Sequence, residues 1–444
     1  MTRSHVTRTA LAALVAGTFL SVSACGLSGG AEDVKEARKT GKVAGEITFR
    51  TLQLKPRFTG YVQGVIDAFE KKYPEVRIAW EDVPGEGYNE KLVADAQAGA
   101  LPDVVNLSTD SFQLLGDRGM LADVAALDPG VAEEYVPGAW EQFKLPGKGD
   151  GVYAYPWYVT PEILTYNTVL FEKAGLDPAK PPTTVEQFFD YAERIAAGSG
   201  GRYAAFMADP KGRLPGDWQK MGVPILNDEQ DRFVFDTGKA VEWVERMRAL
   251  YAKGAMPKES LLKSDDINQL YGGGKLVFGP GSPGFVRDIK QNAPQVYADT
   301  RVAGAVTGTL GHIGIYAQSL GIRKDTAHLG AAAAFARWVT NGPNQVEFSK
   351  NATIYPSQAQ GLADPRFADR GDGKDAETVA RAVGAEQLKT AALDANTPVQ
   401  WTSQVGDAVV REMQKAILGE QDARTAVRKA QEEANKLLAH AAKR

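Results

Sequence analysis

The sequence predicts an α/β protein in which strands and helices alternate, and three patterns carry that expectation. Ile47 and Phe49 alternate with Thr48 and Arg50, the period-two signature of a strand with one buried face. Tyr61, Val65 and Phe69 recur every four residues with Val62 and Ile66 beside them, which marks one face of a helix. Val76, Ile78 and Trp80 then alternate with Arg77, Ala79 and Glu81 as a second strand, with Trp80 on the core side. A β-α-β-α-β succession of this kind builds a mostly parallel sheet with helices on both faces. Ligands approach such a sheet at the carboxyl ends of its strands.

The remaining elements follow in order. Tyr73-Pro74 stops the first helix. Tyr88 to Ala98 fits a second helix, closed by Gly99-Ala100-Leu101-Pro102, and Asp103 to Leu107 reads as a short buried strand. Gly151 to Tyr158 is aromatic, interrupted by Pro156, and runs into Ile163 to Asn167, as suits a strand passing from one lobe to another. Helical spacing returns in Thr184 to Ala197 and in Val241 to Ala252, where Trp243, Met247 and Leu250 fall on one core-facing side. Leu276 to Phe278 is a strand leading into the turn Gly279-Pro280-Gly281-Ser282-Pro283-Gly284. Gly272-Gly273-Gly274-Lys275 is no phosphate loop, because Gln269 stands at the first glycine and Leu276 at the Mg²⁺-binding hydroxyl. Gly311 to Ile322 is a further strand with its loop, and Ala331 to Val339 a helix. Two amphipathic helices close the chain, Val405 to Gly419 and Ala426 to Leu438.

The N-terminus is of another kind. Arg3 and Arg8 precede the apolar run Ala10 to Leu20, which is shorter than the roughly 18 residues needed to span a membrane. Val22-Ser23-Ala24-Cys25 resembles a bacterial lipobox, so residues 1–24 are expected to be a signal peptide and Cys25 a lipidated first residue. Two or more acyl chains give stable anchoring. Residues 25–45, polar and without strand pattern, are the expected tether, and the chain is expected outside the cell, held to the outer face of the membrane by Cys25.

Composition narrows the function. A net charge of −4 and the absence of a basic stripe argue against a nucleic-acid partner. Cys25 is the one cysteine, so disulfides and thiolate metal sites are excluded from the folded part. His312, His328 and His440 are far apart in sequence, which speaks against a zinc site or a Ser-His-Asp triad. No metal and no cofactor are expected.

Ala68-Phe69-Glu70-Lys71-Lys72-Tyr73-Pro74, Tyr88-Asn89-Glu90-Lys91-Leu92, Gly99 to Val105 and Tyr166 to Leu176 together resemble extracellular solute-binding protein family 1, the sugar-binding subunits of ABC importers. The resemblance covers nearly the whole exported chain. It implies a two-lobed, periplasmic-binding-protein-like α/β fold, each lobe a mixed, mostly parallel sheet flanked by helices and joined to the other by a hinge. Carried onto this sequence, residues 46–157 and 306–345 form lobe 1, and residues 158–305 and 346–444 form lobe 2. The implied partners are a carbohydrate, the permease subunits of an importer and, through Cys25, the membrane; relatives generally work as monomers.

A sugar offers an apolar face of C–H groups and an edge of hydroxyls, so its site combines aromatic surfaces with a few aimed polar groups. Polar or aromatic residues in strand-end loops meet that requirement without being needed by the sheet. Asp110 follows the buried strand Asp103 to Leu107 and matches a hydroxyl-accepting aspartate of the maltose-binding relatives; its other reading is a cap for a helix starting at Ser111. Lys55 matches a ligand-contacting lysine, although Leu54 replaces the neighbouring aspartate and Arg57 stands in for part of that network or is solvated. Ser111 replaces a ligand-binding arginine, which points away from maltose. Trp157 and Tyr158 sit at the first crossing and, by alternation, point to opposite faces, so one belongs to the core. Trp218 stands in a polar loop, and Ser282 and Phe285 follow the strand ending at Phe278. Tyr316 and Trp401 complete the candidates, with a structural role the stronger reading for both. The competing function is a secreted glycoside hydrolase or lyase using paired carboxylates, or a receptor for a non-sugar solute. The absence of an eightfold βα repeat argues against a barrel enzyme.

Overall fold

The computed structural model describes residues 41–145, 147–261, 266–308, 311–390, 397–398 and 400–441. The expected signal peptide, Cys25 and most of the expected tether lie outside the described residues. Nine strands are present among them: β1 (Gly45–Leu52), β2 (Val76–Val83), β3 (Val104–Ser108), β4 (Tyr155–Pro161), β5 (Ile163–Asn167), β6 (Phe278–Gly279), β7 (Thr300–Gly304), β8 (Ile315–Ile322) and β9 (Tyr355–Pro356). They form two sheets, a six-stranded one in the order β2-β1-β3-β8-β4-β9 and a three-stranded one in the order β6-β5-β7.

The periodicities produce the elements for the expected reasons. Val62, Val65, Ile66 and Phe69 are the buried face of the helix Thr59–Lys72, and its Phe69 meets Phe335 edge-on at 5.1 Å. Phe49 of β1 meets the same ring, also at 5.1 Å, so strand and both helices share one core. A separate core holds Trp218, Trp243, Phe233 and Phe235 with the faces of the helices Gly238–Ala252, Ser403–Ile417 and Ala423–Ala441. Two cores under two sheets make two lobes.

The large sheet is mixed and the small one antiparallel, so the expectation of mostly parallel pairing needs correction. β1 pairs in parallel with β2 and β3. Every pairing of β8, β4 and β9, and both pairings of the small sheet, are antiparallel. The reason lies in the crossings: β4 leaves lobe 1 at Pro161 and β8 re-enters it at Ile315, so the two run in opposite directions side by side. The crossings also move the expected boundaries. β4 stays in the first sheet through Pro161, and the return crossing lies between β7 and β8. Phe348, Leu362 and Phe367 pack in the first core, so lobe 1 extends past residue 345.

Gly272-Gly273-Gly274 closes the helix Ile267–Gly272; Gly274 has φ +65°, which favours glycine there.

Candidate functional site

The carboxyl ends of β1, β2, β3 and β4 lie at one edge of the first sheet, together with the start of β8, because Ser108 pairs with Gln318 and Pro161 with Ile315. The chain leaves for lobe 2 from this edge at Pro161 and returns to it at Ile315. Ligands of open α/β sheets sit at such an edge.

Asp82, at the end of β2, fixes the loop after β1. Its carboxylate accepts hydrogen bonds from Thr51 Oγ1 at 2.6 Å and from the backbone N–H groups of Leu54 and Lys55, both at 2.9 Å. Trp80 Nε1 donates to the same Thr51 hydroxyl at 2.8 Å. The Lys55 ammonium is held 4.2 Å from the centre of the Trp80 ring, a cation–π contact at the mouth of the cleft.

Ser108 caps the helix Thr109–Asp117, with Ser111 completing a reciprocal capping box. The cap is thus taken by a neighbour, and Asp110, in the first turn, exposes a carboxylate that no hydrogen bond or ion pair reaches among the described residues. Beside it a polar relay runs out from the sheet. Asn106 Nδ2 donates to Gln318 Oε1 at 2.5 Å, and Gln318 Nε2 donates to the Tyr316 hydroxyl oxygen. Tyr316 is 52% exposed, and with its oxygen already accepting, its O–H proton is free to donate into the cleft. Burial of the hydroxyl raises its pKa, the Gln318 amide opposes that and the Asp110 charge adds to it, so Tyr316 stays protonated at neutral pH.

Lobe 2 contributes a cavity of about 280 Å³ walled by Phe188, Phe206 and Phe278 and rimmed by charge. Lys220 Nζ donates to Glu162 Oε2 at 2.5 Å, and Gly314 N–H donates to the same oxygen at 3.3 Å. Glu162 is the single residue between β4 and β5, and Gly314 precedes β8, so one carboxylate touches both crossings. Arg213 pairs with Asp217 on the same rim at 3.4 Å. Apolar walls with a few polar groups suit a ligand with hydroxyls on an apolar frame.

Of the residues expected from the sequence, Lys55, Asp110, Tyr158 and Tyr316 lie at the sheet edge. The expected alternation does not hold at the crossover pair: a register shift between Pro156 and Tyr158 brings both rings onto Phe348, Trp157 buried and stacked at 5.6 Å and Tyr158 half-buried and edge-on at 5.5 Å. Arg57 is exposed in the loop after β1, its guanidinium 5.1 Å from the Phe58 ring centre.

Four expectations are corrected. Trp157 is core. Trp218 belongs to the helix Pro210–Lys220, not to a loop; it is fully buried against Phe235, Trp243 and Trp401, because Leu214 and Trp218 share the inward face one turn apart. Ser282 caps the helix Pro283–Asn292 by accepting from Phe285 N–H at 3.2 Å, and Phe285 is buried edge-on against Tyr271. Trp401, for which a structural role was the stronger expectation, is half-buried at the margin of the second core, against Trp218 and Phe233. Sequence reasoning missed Asp82, Gln318, Glu162 and Lys220, whose partners are remote in the chain; Trp80, expected on the core side, packs partly buried on the first core and also presents a ring face to Lys55. Among the described residues no group of His, Cys, Asp and Glu is placed to hold a metal ion, and no helix is long and apolar enough to cross a membrane.

Comparison with known proteins agrees with this geometry. A periplasmic-binding protein from Synechococcus sp. MITs9220 superposes with a TM-score of 0.79 at 29% identity, covering 89% of this chain and 99% of that one. The sugar-binding protein MalE from Xanthomonas citri shares the fold at 20% identity, with a TM-score of 0.75 over 89% of this chain and 98% of that one. A curated relative from Brucella abortus (strain 2308) is 25% identical over 282 residues, 61% of this chain, and the chain spans 66% of that relative's length. The family profile for bacterial extracellular solute-binding proteins matches residues 64–374, and the chain belongs to that family.

Proposed function

We propose that this protein is a receptor of an ABC importer, held to the outer face of the membrane by lipidated Cys25, which captures a mono- or oligosaccharide between its lobes and delivers it to the permease. One observation carries the reading. The sheet edge of lobe 1 presents a free carboxylate, a tyrosine hydroxyl poised to donate, and a lysine seated on a tryptophan, and lobe 2 holds a cavity with phenylalanine walls and a charged rim. That pairing of aimed polar groups with apolar surface is what a sugar ring requires, and relatives such as MalE are named for sugar binding. The protein acts as a monomer and does no chemistry on its ligand. Isothermal titration of the exported chain against a broad panel of mono- and oligosaccharides tests the proposal: saturable binding of at least one sugar is expected, and silence across the panel overturns it. The anchor is tested separately, since Cys25→Ala is expected to move the protein from the membrane fraction to the soluble one with sugar binding intact.

A further inference from the structure

A second cavity, of about 210 Å³ and lying between the lobes, carries five cationic side chains and a single carboxylate in its lining: Arg57, Arg287, Lys350, Arg366 and Arg381 against Glu377. It shares no lining residue with the phenylalanine-walled cavity. The charges arrive from both lobes. Arg57 stands in the loop after β1, and Arg366 precedes Phe367 of the first core. Arg287 and Arg381 stand on the helices Pro283–Asn292 and Ala376–Thr390 of the second lobe.

The local carboxylates are already engaged. Glu377 accepts from Lys290 at 2.9 Å, Glu347 pairs with Lys350, and Asp364 accepts from the backbone N–H of Arg366. The guanidiniums find only neutral partners. Arg366 Nη1 donates to Ser349 Oγ at 2.9 Å, Arg381 Nε donates to the Arg366 carbonyl at 2.9 Å, and Arg287 Nε is buried with no hydrogen-bond partner. Among the described residues, none of the four arginines forms an ion pair. Burial and the adjacent Arg381 charge lower the pKa of Arg366 and outweigh the Asp364 and Glu347 carboxylates, which raise it. Uncompensated cations kept at close quarters are costly unless an anion joins them.

We infer that this cavity is a binding site for a phosphate-class oxyanion that bridges the two lobes. A carboxylate offers one charge and two oxygens in a plane. A phosphoryl group offers up to two charges and tetrahedral oxygens, which matches guanidinium forks arriving from opposite lobes. Because the arginines belong to both lobes, the anion favours the lobe arrangement in which they line one cavity.

The test is calorimetric titration of the exported chain in low-chloride buffer with inorganic phosphate and, in parallel, with a hexose 6-phosphate. The expected result is saturable binding with a dissociation constant below about 1 mM, weakening as salt is raised. A hexose phosphate that binds at least about tenfold tighter than inorganic phosphate identifies a phosphoester head as the natural occupant, and equal affinities identify the free anion. Arg287→Gln and Arg366→Gln are each expected to weaken phosphate by about tenfold or more. Arg287→Lys, which keeps the charge but loses the fork, is the control should a neutral variant fail to fold, and it too is expected to weaken binding. Absence of saturable binding of either compound up to about 10 mM, or affinities unchanged in all three variants, overturns the inference.

Discussion

Lys220 donates to Glu162 across 2.5 Å, and that bond ties a helix of the second lobe to the residue at which the chain first leaves the first. Only 9% of the Lys220 side chain is exposed, and the Glu162 carboxylate also accepts the Gly314 N–H of the return crossing. The hinge is thus organised around one negative charge.

Glu162→Gln keeps the shape and removes that charge. The charge-assisted bond from Lys220 is then weakened to a neutral one, at an expected cost of about 1 to 2 kcal/mol, since Glu162 itself is partly solvated. Urea unfolding at neutral pH measures the loss.

Asp103 gives the first lobe a pH dependence. Burial alone would raise its pKa, but hydrogen bonds from Thr326, from the N–H and hydroxyl of Thr48, and from Arg323 outweigh burial and hold it at about 2. The folded value is below the unfolded one of about 3.9, so this stability is fully present above pH 4 and is lost as pH falls toward 2. Asp103→Asn is expected to cost on the order of 2 kcal/mol at pH 7 and to flatten the stability profile between about pH 4 and 2. Unfolding free energies measured across that range test it.

At the sheet edge, binding and stability separate. Asp110 is exposed and unbonded, so Asp110→Asn is expected to change stability by less than about 0.5 kcal/mol, whereas Tyr316→Phe takes the acceptor from the buried Gln318 amide and is expected to cost about 1 kcal/mol. Each is expected to weaken sugar binding about tenfold, as loss of a hydrogen bond to a buried hydroxyl does. Parallel thermal melts and sugar titrations distinguish the two effects.

Trp218 behaves in the opposite way. Trp218→Ala opens a hole among Phe235, Trp243 and Trp401 and is expected to cost about 3 to 5 kcal/mol. Trp218→Phe, which keeps most of the apolar volume, is expected to leave sugar affinity within about twofold of the parent, because nothing in the cleft depends on the indole.

Much of this fold was legible because each lobe is built from local periodicity. Tyr61, Val65 and Phe69 declared their helix, and Asp110 could be singled out because it stands just beyond a buried strand. Trp218 was misread because its helix carries Lys211, Arg213 and Asp217 on the outer face, and their polarity hid the inward pair Leu214 and Trp218. The pair Trp157 and Tyr158 was misread by alternation, because a register shift between Pro156 and Tyr158 brings both rings onto Phe348. Glu162 with Lys220 and Asn106 with Gln318 are separated by 58 and 212 residues, and no local pattern announces contacts made only when the crossings close the structure.

A crystal structure of the exported chain with whichever sugar titrates places the ligand outright. The expected position is between the Asp110 and Tyr316 edge of lobe 1 and the cavity walled by Phe188 and Phe206 in lobe 2, with polar contacts to both lobes. Sugar density on the outer surface of one lobe, with Asp110 and Tyr316 untouched, would contradict capture between the lobes.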